Sequence, residues 1–185
     1  MRDPVSVLDG RVAAGPVTVR DAGLMGMVSL RGDHAALAAA VGKVTATGLP
    51  EVNRVVIAGD RGVVWMSPDE LLLLLPHSAA GQAVADLTAA LAGLHHLAVD
   101  VSDARAVIRL EGAGAREVLG KLAPVDLSPV AFGPGQVRRS RLGQIAAAFW
   151  CEAEDRWTVV CFRSVGDYAF KLLAQSAADG AVGFY

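Results

Sequence analysis

The chain is written twice over. Leu30-Arg31-Gly32 returns as Leu110-Glu111-Gly112, Trp65 as Trp150, Leu71 as Trp157 and Ser78 as Ser164, at an offset that drifts only from 80 to 86 residues. A duplication of this length leaves few folds open. The repeat is too long for a solenoid and occurs only twice. Two such copies are expected to pair or stack their sheets in an α+β body.

Hydrophobic periodicity predicts the same order, β-α-β-β-β-α, in each copy. In the first, Met27 to Arg31 reads as a strand with Val28 and Leu30 on one face. Asp33 is placed to cap a helix that carries Leu37, Val41 and Val44 and stops near Gly48. Three short strands follow at 52–58, 63–66 and 71–75, with turns at Gly59 to Gly62 and Ser67 to Glu70. Ser78 reads as the cap of a second helix, with Val84, Leu87 and Leu91 inward, and 95–101 as a further strand. In the second copy, a strand over 104–110 leads through Gly112 into a helix with Ala115, Val118, Leu119 and Leu122. A Pro/Gly-rich loop over 124–135, three strands over 137–141, 145–151 and 157–162, and a helix capped by Ser164 complete it. The predicted organisation is an extended N-terminal arm over 1–22, a first α+β repeat over 23–101 and a second over 102–185, the repeats packed as one globular unit. The arm alternates valines with Gly, Pro, Asp and Arg. Such a segment gains little by folding on itself, so it is either disordered or lies on another surface.

Composition narrows the function classes. A hydrophobic fraction of 53% and a net charge of −2 over 185 residues exclude a mostly disordered chain. Seventeen basic residues against 19 acidic ones argue against nucleic acid as a partner. The longest apolar runs, Leu71 to Leu75 and Ile145 to Cys151, fall well short of the ~20 residues that span a bilayer, so no membrane partner is expected. The N-terminus has an acidic third residue and no apolar stretch, which makes the cytoplasm the default compartment. Cys151 and Cys161 are too few for a disulfide scaffold or a structural metal site. The apolar surplus has two readings: many small alanines, or surface that a partner covers.

The motifs that would carry chemistry are incomplete. Gly112-Ala113-Gly114 follows a strand as a dinucleotide loop would, but Glu117 stands where the third glycine belongs, which leaves a plain strand-to-helix turn. His95 and His96 are neighbours on a strand and point to opposite faces, while His34 and His77 flank helix starts. Asp100 and Asp103 suit a tight turn. Arg138, Arg139 and Arg141 cluster on one strand; the charge protects a solvated edge, or it forms a socket for an acidic partner surface or an anionic tail. Trp65, Trp150 and Trp157 read as core residues. No catalytic, cofactor-binding or metal-ligating residue is assigned, and Trp65, Arg138, Arg139 and Arg141 are the candidate partner contacts.

Several stretches, in order, resemble the gamma subunit family of heterotetrameric sarcosine oxidase. They are Trp65 with Ser67-Pro68-Asp69-Glu70-Leu71-Leu72, Asp100 to Arg105, Val107 to Gly112, Ala115 to Leu119, Pro124 to Leu127, Phe132 to Gly135, and Arg163-Ser164 ahead of Asp167-Tyr168. Leu122-Ala123 departs from a pair that is often Gly-Cys in that family. The segment from Asp100 to Leu119 is also similar to the glycine-cleavage T-protein, a folate-dependent aminomethyltransferase. That family carries acidic residues on a later strand, where this chain has Ala146 and Ala147 in the stretch from Gly143 to Ala148. An alanine methyl can neither accept a proton nor stabilise an iminium. The resemblance therefore implies a folate-enzyme scaffold without its catalytic group. It implies a non-catalytic gamma subunit with no cofactor of its own, serving as structural partner of an alpha chain. The complex would also hold beta and delta chains, carry FAD, FMN, NAD and zinc, and pass the methyl carbon of sarcosine to tetrahydrofolate with formation of hydrogen peroxide. The alternatives are the equivalent subunit of an N-methylglutamate dehydrogenase complex and a free-standing folate-binding protein of the T-protein-like group.

Overall fold

The structure is a computed structural model that describes residues 4–180 together with Gly183 and Tyr185. In chain order the arm supplies β1 (Val12–Ala13) and β2 (Thr18–Asp21). The first repeat runs β3 (Gly26–Gly32), α1 (His34–Thr45), β4 (Val55–Ala58), β5 (Arg61–Ser67), β6 (Glu70–Leu75), α2 (Ala80–Ala90) and β7 (His96–Asp100). The second runs β8 (Arg105–Glu111), α3 (Ala115–Gly120), β9 (Val137–Leu142), β10 (Ile145–Ala153), β11 (Arg156–Phe162) and α4 (Gly166–Ala178). Met25–Asp103 form one compact unit; the described residues up to Leu24 join those from Ala104 onward in the other.

Each unit holds one antiparallel sheet, and the duplication is visible in the strand order. The first repeat gives β4-β5-β6-β3-β7 and the second β9-β10-β11-β8-β2-β1, so β4-β5-β6-β3 and β9-β10-β11-β8 correspond strand for strand. The architecture is α+β with two β-α-β-β-β-α repeats, as the periodicity predicts. Leu30 faces Leu71 in one sheet and Leu110 faces Trp157 in the other. One detail of the sequence alignment needs correction. Trp65 faces Leu71, whereas the residue facing Trp157 is Cys151, so the counterpart of Trp65 is Cys151 and not Trp150. Both strands break register at the next step, between Trp65 and Ser67 and between Cys151 and Ala153. A one-residue slip moves a side chain to the opposite face, so Trp65 and Trp150 lie on different faces of equivalent strands.

The helix starts hold a second correction. Asp33 caps α1 as expected, its carboxylate accepting the Ala36 N–H at 3.0 Å. Ser78 and Ser164 do not cap: they lie inside 3₁₀ turns, His77–Ala79 and Arg163–Val165, that precede α2 and α4. Those turns already bond the first free amides, with the Ala80 N–H on the His77 carbonyl and the Gly166 N–H on the Arg163 carbonyl. Helix α1 ends at Ala46, held left-handed at φ 57°, two residues before Gly48.

One apolar cluster packs each sheet. In the first repeat, Val28, Leu30, Val63, Leu71 and Leu73 meet Leu37, Val41 and Leu87 from the helices. The leucines of β6 are buried on both faces, which is why that strand reads as a continuous apolar run. In the second, Ile108, Leu110, Phe149, Trp157 and Val159 meet Val118, Leu119, Phe170 and Leu173. The arm belongs to this second cluster. Leu8 and Val19 are fully buried, and Val19 faces Leu110 in the ladder between β2 and β8. Residues 1–3 of the predicted arm lie outside the described residues. The close pass of the arm explains the glycine turn before α3. Gly112 adopts φ +138°, and a Cβ there would stand 2.5 Å from the Pro16 carbonyl oxygen.

Candidate partner-binding surface

Strand β9 is an edge of the second repeat's sheet, paired only with β10. Alternation divides its arginines. Arg139 and Arg141 face Ala148 and Ala146 across the ladder and are exposed. Arg138 faces Phe149 on the core side, donates to the carbonyls of Val137 at 2.9 Å and Ala131 at 3.3 Å, and lies 4.9 Å from the Phe132 ring centroid. Arg141 donates to the Gln144 side-chain oxygen at 3.0 Å and borders an open cleft of about 480 Å³ with Lys121, Pro124 and Gln144. The Lys121 ammonium is held by the carbonyls of Ser176 and Gly180, where it closes the C-terminal end of α4. Trp65 is half-buried on β5 of the other unit, whereas Trp150 and Trp157 are buried as expected.

Ala146 is exposed and Ala147 buried on β10. The first carboxylate along that strand is Glu152, which accepts from the Thr158 hydroxyl at 2.7 Å and from Arg156 Nε at 3.1 Å. It is thus engaged in its own sheet. Among the described residues no group of three or more His, Cys, Asp or Glu side chains is placed to hold a metal ion. Among the same residues no helix is long and apolar enough to cross a membrane. Burial pushes the Cys151 and Cys161 thiols up to about 11, and both are free and buried. A thiol held protonated is a poor nucleophile at neutral pH.

Two arrangements have no sequence signal of their own. The buried Arg116 of α3 donates to the Phe132 carbonyl at 2.6 Å and to the Leu127 carbonyl, and pairs with Glu154 at 2.8 Å. It pins the long loop after α3 over the core, where Phe132 meets Trp157 edge-on at 4.9 Å. At the end of β11, Phe162 is half exposed beneath the Arg105 guanidinium, 4.2 Å from its ring centroid.

Residues 31–179 match the model of the sarcosine oxidase gamma subunit family. A sarcosine oxidase subunit gamma from Arthrobacter sp. is 36% identical over 80% of this chain and 73% of its own length. One from Corynebacterium sp. strain P-1 is 34% identical over 91% of this chain and 83% of its own length. A chain of the heterotetrameric sarcosine oxidase from Corynebacterium sp. U-96, solved in complex with pyrrole 2-carboxylate, superposes with a TM-score of 0.79 at 31% identity, covering 94% of this chain and 91% of that one. The glycine cleavage system aminomethyltransferase T from Bartonella henselae superposes at 0.59 with 13% identity over 80% of this chain and 43% of its own, which shows the shared fold. With the family model matched over residues 31–179 and relatives 34–36% identical over most of their own length, the chain belongs to the sarcosine oxidase gamma subunit family.

Proposed function

We propose that this chain is the non-catalytic gamma subunit of a cytoplasmic sarcosine oxidase complex and acts there as structural partner of the alpha chain, with beta and delta chains completing the assembly. The observation that carries this reading is the superposition, over nearly the full length of both chains, on a chain of a heterotetrameric sarcosine oxidase. The site chemistry agrees with it. The strand that would hold a one-carbon enzyme's acid carries Ala146 and Ala147, and its one carboxylate, Glu152, is bound by Thr158 and Arg156. FAD, FMN, NAD, zinc and the tetrahydrofolate site would then belong to the other chains. Trp65, Arg138, Arg139 and Arg141 are the proposed contacts. Arg139 and Arg141 present charge from an open strand edge, where an acidic partner surface would be recognised. A permanent subunit of this size is expected to bury about 1,600 Å² or more of total surface.

The test is expression of the alpha, beta and delta chains with and without this one. Loss of stable assembly in its absence, restored by the chain in trans, is the expected result. Full assembly and full sarcosine turnover without it would end the proposal. Tight binding of tetrahydrofolate by the isolated chain would favour a folate-binding role instead.

A further inference from the structure

The face of the second repeat's sheet that carries Arg20 holds a charge imbalance. Arg20 on β2 and Arg109 on β8 stand directly opposite each other, and Thr158 on β11 is next in the same row. One step along, Glu111 faces Thr18 on one side and Arg156 on the other. Side chains directly opposite in an antiparallel ladder share a face, so these groups form one patch, and like charges placed opposite each other repel. Arg20 is neutralised by Glu111 at 2.8 Å and Arg156 by Glu152 at 3.1 Å. Arg109 has no ion pair among the described residues, and its Nε is buried without an acceptor, as is that of Arg20. Three guanidinium groups thus meet two carboxylates. The field of all three holds the Glu111 carboxyl below its ordinary range, after the hydrogen bond from Arg20, which is the first cause.

Arg109 is only half-buried, so part of it stays open to solvent, and among the described residues it has no carboxylate paired with it. Its planar fork matches a carboxylate. A free small anion would be held weakly on such a face, because salt screens a single surplus charge. A carboxylate carried on a protein surface is delivered by all the other contacts of its interface. We propose that Arg109, flanked by Arg20, receives an aspartate or glutamate side chain of a partner subunit. This rests on the subunit role proposed above and adds a contact separate from β9.

The experiment uses the assembled complex. With Arg109→Lys in place, a water-soluble carbodiimide joins the new amine to a carboxylate it touches, and peptide mass spectrometry locates the bond. The expected product links position 109 to an acidic residue of another subunit. In parallel, Arg109→Gln is expected to weaken retention of this chain in the complex about tenfold, and Arg109→Glu more, with the melting temperature of the isolated full chain unchanged or raised. Coupling of position 109 only within its own chain or to a second copy of it would overturn the contact. So would retention of all three variants at the same salt concentration as the native chain. In either case the subunit role would stand, since native assembly is read in the same experiment. Failure of the native chain to assemble would remove both.

Discussion

The two repeats share a strand order and cover their sheets by different means. In the first, α1 runs for 12 residues and lays Leu37, Val41 and Val44 over the sheet. In the second, the equivalent α3 has only 6 residues. The remaining cover comes from the arm, which buries Leu8, Val17 and Val19 and whose β2 takes the sheet position that β7 holds in the first, and from the loop after α3, longer than the one after α1, which buries Leu127 and Phe132. A duplicated sheet order is thus compatible with covers of quite different origin. What the second repeat loses in helix length it regains from the loop that follows that helix and from the arm, which lies far away in sequence. The first repeat is closed by its own continuous chain, and the second depends on the loop after α3 and on the arm, which enters from before the first repeat.

Removing residues 1–22 tests this contrast most severely. The deletion takes away β1 and β2 and three buried apolar side chains, each worth roughly 1.5–3 kcal/mol on burial. That sum rivals the whole stability of an ordinary domain. The expected outcome is loss of the near-UV dichroism of Trp150 and Trp157. A truncated chain that keeps this signal and melts within a few degrees of the full chain would show that the arm merely decorates the sheet.

The loop is the smaller of the two attachments. Arg116→Met leaves the apolar stem but strands the carbonyls of Leu127 and Phe132, and an unsatisfied buried acceptor costs about 1–3 kcal/mol. A loss of about 2–4 kcal/mol in urea unfolding is expected. Arg116→Lys should recover only part of it, since one ammonium cannot reproduce the fork that also reaches Glu154. Full recovery by lysine would mean that charge alone matters at this position.

These two devices also mark where the sequence stops being informative. Period-2 and period-3.6 patterns carry the strands, the helices and the duplication, and Asp33 announces its helix because its acceptor is a side chain three residues from its donor. Arg116 gives no such sign. Beside Glu117 on a short helix it reads as a stem reaching for solvent, and two of its acceptors are backbone carbonyls, which have no residue code. The arm was legible as a segment unable to fold alone, but its destination depends on the register Val19 to Leu110, which no local pattern contains. Arg109 is hidden for the same reason: its opposition to Arg20 exists only once β2 has docked. Ser78 and Ser164 resemble caps without being caps, because a 3₁₀ turn offers the first helical amides a backbone partner where the sequence rule assumes they have none. The β9 arginines lie between these cases. Their split into Arg138 on one face and Arg139 with Arg141 on the other follows from alternation, while the ring and carbonyls that hold Arg138 do not.

Alkaline pH separates the repeats a third way, because both cysteines lie in the second. Their folded pKa values are raised to about 11 by burial, above the ordinary value of 9.0. The folded state keeps its protons where the unfolded state has lost them. The contribution is therefore complete below pH 9 and falls away as pH rises from there toward 11. At about 1.4 kcal/mol per pKa unit, each thiol accounts for a decline on the order of 2–3 kcal/mol. The urea midpoint, followed by the fluorescence of Trp157, should drop over this range in the native chain and drop less in Cys151→Ala/Cys161→Ala. An identical decline in that variant would assign the alkaline loss to other groups. Neither thiol should react with a bulky disulfide reagent in the folded chain at pH 8.

The smallest effect separates two ways of beginning a helix, the side-chain cap of α1 and the 3₁₀ turn that precedes both α2 and α4. Asp33→Ala removes a side-chain acceptor from a free amide and should cost about 1 kcal/mol, with Asp33→Ser restoring most of it. Ser164→Ala is expected to stay within about 0.5 kcal/mol of the native chain, because Arg163 already supplies the acceptor for the first amide of α4. Thermal melts of the three variants resolve these differences. Equal losses at Asp33 and Ser164 would mean that the 3₁₀ turn does not replace a cap, and that both helices start by the same device.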